Sequence, residues 1–412
     1  MISGPHRQRE PRVILHTSEP SPGASRYLSQ FAISMAARRD LTVVCPSNFE
    51  LLSAVRTAGI QAEPSADFPA GKGSPAWRAW RRCRYSASLL LRHFRSVRRG
   101  DIVHIQFPES FPIGLSTFLA ARLMGGKVVF TSHDPVPRQW LKPGRLAFLE
   151  RRSLEWAYRA SHRVIVHNKA AAQFLRNEFG VPSSKIAVIP HGAFQVSRSH
   201  QPFPKFDALK LLCFGSIREN KGLHLAIEAV QRLNRGYGRR VRLTIAGEVR
   251  HASEQEYWQR CKKLIETQPE GIWVIDRYIS ECEVGALIGD HHALLLPYRT
   301  LWSESGTACL ALSNGRAILA TQSGGLGSLM AESGSGVAIE AQSAGAIARA
   351  IQHAFLAGPE QLEQMGAKGR QYMMSRRSWD AIARDTEAVY DELREVKREA
   401  LGTLAGAEHG SR

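Results

Sequence analysis

The sequence predicts an α/β protein made of two doubly wound, Rossmann-like halves, and three observations carry that expectation. With 412 residues the chain is too long for one compact core and fits two domains. A strand–loop–helix–strand pattern opens near residue 12 and opens again near residue 210. Residues 291–326 then run as strand, polar loop, glycine-marked helix start, strand and second glycine loop. Doubly wound sheets build anion sites at their carboxyl edge in this way.

In the first half, Arg12 to His16 reads as a compact strand, followed by loop 17–25. Gly23 in that loop is where a phosphate or sugar could come close. An amphipathic run from Arg26 to Arg38 and a strand from Leu41 to Cys45 complete the opening unit. Residues 77–99 hold eight arginines and no acid, with Trp77, Trp80, Tyr85, Leu89, Leu90, Leu91 and Phe94 interleaved. A basic amphipathic helix with aromatics suits an anionic membrane surface. The competing reading is a solvated basic face with a core-facing stripe. Strands follow at 101–106 and 127–132, the second ending in His133-Asp134, where parallel sheets place ligand contacts. Helix 145–161, strand 163–166 ending in His167-Asn168, helix 169–179 and a last strand in KIAVIPHGAF (185–194) close a domain assigned to 1–200. Residues 195–208, polar and proline-bearing, read as a linker.

The second domain is assigned to 205–377. Strand Lys210 to Phe214 leads into Gly215-Ser216-Ile217-Arg218-Glu219-Asn220-Lys221-Gly222 and a helix from Leu223. Strand 242–247, helix 253–267 and strand 272–275 come next. In the 291–326 stretch, Ala293 to Leu296 is a buried strand. Ser305-Gly306-Thr307 opens a helix that stops at Asn314-Gly315. The free amides of Gly306 and Thr307 would point at a phosphate. Strand 317–320 and the tight turn at Ser323-Gly324-Gly325 follow. Helices are expected at 343–356, 360–375 and about 378–400, with a disordered tail over 401–412. Two such halves would face each other across a cleft.

Lys and Arg outnumber Asp and Glu by 55 to 37, a formal charge of +18 that implies an anionic partner. No nucleic-acid module accompanies the basic stretch, so no specific nucleic acid is expected. The six cysteines are scattered without a CxxC pair and read as reduced thiols of a cytoplasmic protein. The first 20 residues lack an apolar signal core, and the stretch 113–130 is interrupted by Arg122, two glycines and Lys127.

Several motifs then coincide: VIPHG at 188–192, FGSIRENKG at 214–222, IAGE at 245–248, LPY at 296–298, SGT at 305–307, RAILAT at 316–321 and GGL at 324–326. Together they resemble the retaining glycosyltransferases of family 4, which have the GT-B architecture, over about residues 10–390. HDPVPR at 133–138 is similar to one subset of that family.

The resemblance implies a nucleotide-diphosphate sugar, GDP-mannose or a UDP-hexose, held mainly by the second domain. The acceptor would be a lipid-linked or envelope polysaccharide precursor held by the first, at the cytoplasmic face of a membrane. It implies no cofactor and, with no DxD motif in the chain, no metal. Lys221 and Arg218 would clamp the diphosphate, although Ser216 stands where many members carry arginine. Gly215, Ser216, Ser305, Gly306, Thr307, Gly324 and Gly325 would line the donor site. His133 matches the histidine that touches the donor sugar, with Asp134 beside it. Of the family's paired glutamates, the second falls at Leu310 and the first near Trp302, with Glu304 close by as a candidate sugar contact. The C-terminal helix would return to complete the first domain. Alternatives are another GT-B activity, such as a phosphorylase or epimerase, and a non-catalytic subunit of a polysaccharide assembly.

Overall fold

The computed structural model describes residues 11–19, 22–67, 74–108, 113–135, 147–194, 202–237, 240–302 and 304–393. These form two compact units, the chain passing between them at 189/190 and again at 378/379. Residues 136–138 of HDPVPR, residues 195–201 of the expected linker and the expected tail lie outside the described residues.

The first unit is a seven-stranded parallel sheet. Its strands are β1 (Val13–Thr17), β2 (Leu41–Cys45), β3 (Gln61–Pro64), β4 (Ile102–Phe107), β5 (Lys127–Thr131), β6 (Arg163–Val166) and β7 (Ile186–Val188). Their order is β3-β2-β1-β4-β5-β6-β7. Helices α1 (Pro22–Ala36), α2 (Leu52–Thr57), α3 (Pro75–Ser96), α4 (Leu115–Leu123), α5 (Ala147–Ala160) and α6 (Lys169–Phe179) connect them. Strands β1 and β2 are buried at every residue, as a sheet covered on both faces requires. Tyr85 and Leu89 of α3, Phe118 of α4 and Leu154 and Tyr158 of α5 join Ile14, Val103 and Ile105 in one core. Gly23 sits in the first turn of α1 rather than in a loop, a correction to the expectation. Pro22 begins that helix because its fixed φ and missing N–H suit a first helical position.

The second unit is a six-stranded parallel sheet. It contains β8 (Leu209–Phe214), β9 (Val241–Gly247), β10 (Ile272–Asp276), β11 (Ala293–Leu296), β12 (Ala317–Thr321) and β13 (Gly336–Ile339). The order β10-β9-β8-β11-β12-β13 repeats the inner pattern of the first unit and is that of a complete six-stranded Rossmann sheet. Helices α7 (Leu223–Tyr237), α8 (Gln255–Thr267), α9 (Glu281–Gly289), α10 (Gly306–Ser313), α11 (Leu326–Ser333) and α12 (Ala344–Arg376) cover it. Gly358, at φ +80° and followed by Pro359, divides α12 into the two helices expected there.

A last helix, α13 (379–393), belongs to the first unit. Arg39 from the end of the α1 segment pairs with Glu387 at 2.7 Å and Asp391 at 2.7 Å. Tyr390 Oη lies 2.6 Å from His104 Nδ1, and His104 Nε2 lies 2.6 Å from Thr131 Oγ1.

Burial depresses the pKa of His104 to about 3 and that of His93 to about 4, from 6.5. Below pH 6.5 the unfolded chain binds protons that the folded chain refuses. Stability is therefore full above that pH and falls as pH drops toward the folded values. Each such histidine costs about 1.4 kcal/mol per pH unit in that window. His104→Gln is expected to flatten the acid side of a urea-midpoint-versus-pH curve. An unchanged slope would remove His104 from the account.

Candidate functional site

In the second unit the strand order reverses between β8 and β11, and the loops leaving their carboxyl ends form the candidate site. The sequence gives loop 215–222 its shape through two glycines. Gly215 has φ +102°, and a Cβ there would meet Lys221 Nζ at 2.9 Å. Gly222 has φ +67°, and its Cβ would stand 2.2 Å from the Pro297 carbonyl oxygen. Any side chain at 222 would drive the two loops apart. Between them a short 3-10 turn, Glu219–Lys221, presents the lysine. The Arg299 N–H donates to the Asn220 carbonyl at 2.8 Å and ties the loops together.

Lys221 Nζ donates to the Phe214 carbonyl at 3.3 Å and stands 6.0 Å from the Tyr298 ring centroid. It lines a small open pocket with Gly215, Ile217, Leu296, Pro297 and Tyr298. Beneath it, burial pushes the Cys213 thiol up to about 12, with Lys221 opposing the shift. The cysteine is thus a neutral apolar wall. Thr307 Oγ1 lies 3.8 Å from the place a Gly215 Cβ would occupy, so Gly215, Lys221 and Thr307 are brought together. Arg218 forms no ion pair among the described residues, and its buried Nε has no hydrogen-bond partner among them.

Helix α10 supplies the other wall. Ser305 is its N-cap, accepting from the Ala308 N–H at 3.2 Å and donating to Tyr298 Oη at 3.3 Å. The first-turn amides of Gly306 and Thr307 precede any intrahelical acceptor, which leaves them to a ligand or solvent. At the end of β12, Ser323 Oγ accepts from the Leu301 N–H at 2.9 Å. Gly324 there is at φ +58°, and Gly325 caps α11.

Glu304 lies elsewhere. Its side chain is 3% exposed and accepts from Arg377 Nη1 at 2.7 Å and from the His191 N–H at 2.9 Å. Arg377 is 4% exposed, and its carbonyl accepts from the Ala193 N–H at 2.8 Å. Burial pushes the Glu304 carboxyl up, while Arg377 and the His191 amide pull it down. Burial works most strongly against the charge on Arg377, but Glu304 together with Cys309 and Tyr372 outweighs it and raises that pKa. Arginine does not give up its proton in proteins, so the contact is an ion pair at neutral pH. This carboxylate fastens the loop before α10 to residues 191 and 377. Leu310, at the family's second glutamate position, is buried. Neither Arg377 nor its pairing carried a signal in the sequence, since the partners are 73 positions apart.

In the first unit, His133 follows β5. Its ring stacks on Phe107 at 4.0 Å and meets Tyr27 edge-on at 4.6 Å. His133 Nδ1 lies 2.9 Å from His167 Nε2, and His167 Nδ1 lies 2.9 Å from the Ile189 carbonyl oxygen. A carbonyl only accepts, so His167 carries its proton on Nδ1 and receives one from His133 Nδ1–H. That leaves the Nε2 lone pair of a neutral His133 as its acceptor. Asp134 beside it is exposed.

Comparison with known proteins adds the following. The family described as "Glycosyltransferase Family 4" matches residues 22–193, and the one described as "Glycosyl transferases group 1" matches residues 197–372. A glycogen synthase of Mycobacterium tuberculosis is 25% identical over 380 residues, covering 88% of this chain and 86% of that protein. The sucrose-phosphate synthase structure from Thermosynechococcus elongatus superposes with a TM-score of 0.72 at 16% identity. It covers 94% of this chain and 100% of that one. The structure of Anabaena HepE with UDP-glucose gives 0.70 at 14% identity, covering 92% and 99%.

Proposed function

The chain belongs to the group 1 glycosyl transferases, a GT-B enzyme family, and from that premise we propose what it transfers, from what and to what. It moves a hexose, with retention and without a metal, from GDP-mannose or a UDP-hexose to a lipid-linked or envelope polysaccharide precursor at a membrane surface. The observation that carries the donor half is the meeting of Gly215, Lys221 and Thr307 at the reversal of strand order in the second unit. Donor chemistry requires that the departing nucleoside diphosphate be stabilised as its charge grows. Lys221 Nζ and the Arg218 guanidinium are the cations for that task, and the Gly306 and Thr307 amides its neutral donors. Gly215, Ser216, Gly324 and Gly325 let the phosphates and sugar approach the backbone. HepE has been seen with UDP-glucose, which favours a uridine donor among those named. For His133, an unprotonated Nε2 suits a sugar hydroxyl that donates; Asp134 is a second polar contact of the same loop. Glu304 is better placed to position the loop before α10 than to touch sugar.

Thermal unfolding against a panel of GDP-, UDP- and ADP-sugars, with chelator present, tests this. A donor at 100 times its Kd adds about 2.7 kcal/mol and is expected to raise the melting temperature for one nucleotide family only. No shift with any member would overturn the donor assignment. A shift that needs added divalent metal would overturn the metal-free mechanism.

A further inference from the structure

Helix α3 carries two apolar stripes. At about 100° per residue, Tyr85, Leu89 and His93 fall on one side and are buried against the sheet. Trp77, Trp80, Leu91 and Phe94 fall on the opposite side, where Trp80 is 59% exposed. The core-facing stripe therefore exists and does not account for the tryptophans. The same arrangement recurs on the two helices that continue this layer, α4 packing against both α3 and α5. On α4, Phe118 and Ala121 face the core while Leu119 and Leu123 face out, Leu123 at 85% exposure. On α5, Leu154, Ala157 and Tyr158 face the core while Phe148, Leu149 and Trp156 face out. Of the 16 large apolar side chains exposed among the described residues, nine stand on these three helices. Single exposed apolar residues need no explanation, but a layer of them does.

The charge around them is predominantly positive. The three helices contain ten arginines and two glutamates, Glu150 and Glu155. The guanidinium of Arg81 lies 4.8 Å from the Trp77 ring, that of Arg84 5.2 Å from Trp80, and that of Arg159 5.7 Å from Trp156. Arginines folded over exposed rings form a surface whose polar and apolar parts lie at one level.

We infer that the outer face of α3, α4 and α5 together is a docking platform for an anionic lipid bilayer. The rings and leucines enter the headgroup boundary and the arginines meet lipid phosphate. Aliphatic side chains such as Leu119 and Leu123 have no use on a phosphate backbone, which favours lipid over nucleic acid. No helix among the described residues is long and apolar enough to cross a membrane, so the chain rests on the surface through this face. The inference deepens the membrane part of the proposed function and rests on it for its biological sense.

Flotation of the full chain with vesicles tests it, using phosphatidylcholine alone and an equal mixture with phosphatidylglycerol. Binding to the mixture only, weakened by salt, is expected. The α5 positions separate the platform from a single helix. Phe148→Ser with Trp156→Ser is expected to lower partition tenfold or more, from about 1.5–3 kcal/mol per buried aromatic side chain. Arg152→Gln and Arg159→Gln should each lower it about fivefold, from roughly 1 kcal/mol per arginine at an anionic surface. Full binding by the α5 variants overturns the platform, as does no binding by the parent chain. A parent dimer that these substitutions dissociate, or a duplex oligonucleotide that outcompetes the vesicles, overturns it too. Donor-induced melting shifts, measured in parallel, keep failure here distinct from failure of the donor assignment.

Discussion

Replacing Lys221 with alanine is expected to lower kcat by roughly 10²–10³-fold, the range for removing one preorganised donor to a developing oxyanion. The lysine is held before any ligand arrives. Gly215 and Gly222 fix the loop that carries it, and the Phe214 carbonyl and the Tyr298 ring fix its head. Little reorganisation is then left for the moment of bond cleavage, which is why the loss should fall on turnover. Lys221→Arg keeps the charge but is too long and too planar for the space beside Gly215, and should recover only part of the rate. The side chain supports no core, so the melting temperature of Lys221→Ala should stay near that of the parent. Initial rates with saturating donor are the measurement. A loss below about threefold would remove Lys221 from transition-state stabilisation.

The largest expected effect on stability is at Arg377. Arg377→Met leaves the Glu304 carboxylate buried beside the His191 amide without its counter-charge. Breaking a buried pair from one side costs about 3–5 kcal/mol. Adding Glu304→Gln removes the stranded charge and still accepts from the His191 N–H, so the double variant should be more stable than Arg377→Met alone. Urea titrations of the parent, both singles and the double complete the cycle. A double variant less stable than Arg377→Met would show that the carboxylate stabilises the loop without the arginine.

Much of this site was legible because its causes are local. Gly215 and Gly222 bracket a strand-end loop, Ser305 sits where a cap belongs, and Asn314-Gly315 marks a helix end. What stayed hidden depends on distant partners or on which side of an element faces inward. Glu304 reads as a loop carboxylate until Arg377 is brought to it. In α3, Tyr85 and Trp80 belong to the same aromatic-basic run in the sequence, yet one is core and the other surface. Gly23 looked like loop because the chain around it is rich in proline and serine, but Pro22 starts a helix. Strands β3 and β13, QAEP and GVAI, are too short to show a period of two.

The Glu304 carboxylate receives one hydrogen bond from residue 191 and another from residue 377, the residues at which the chain has just entered and is about to leave the second unit. Both ends of that unit are thus sewn into the loop that opens α10. A fragment trimmed inside either residue would lose that tie and loosen the loop before α10. On the donor assignment proposed above, the smallest piece expected to take a sugar nucleotide runs from His191 or before it to Arg377 or beyond it.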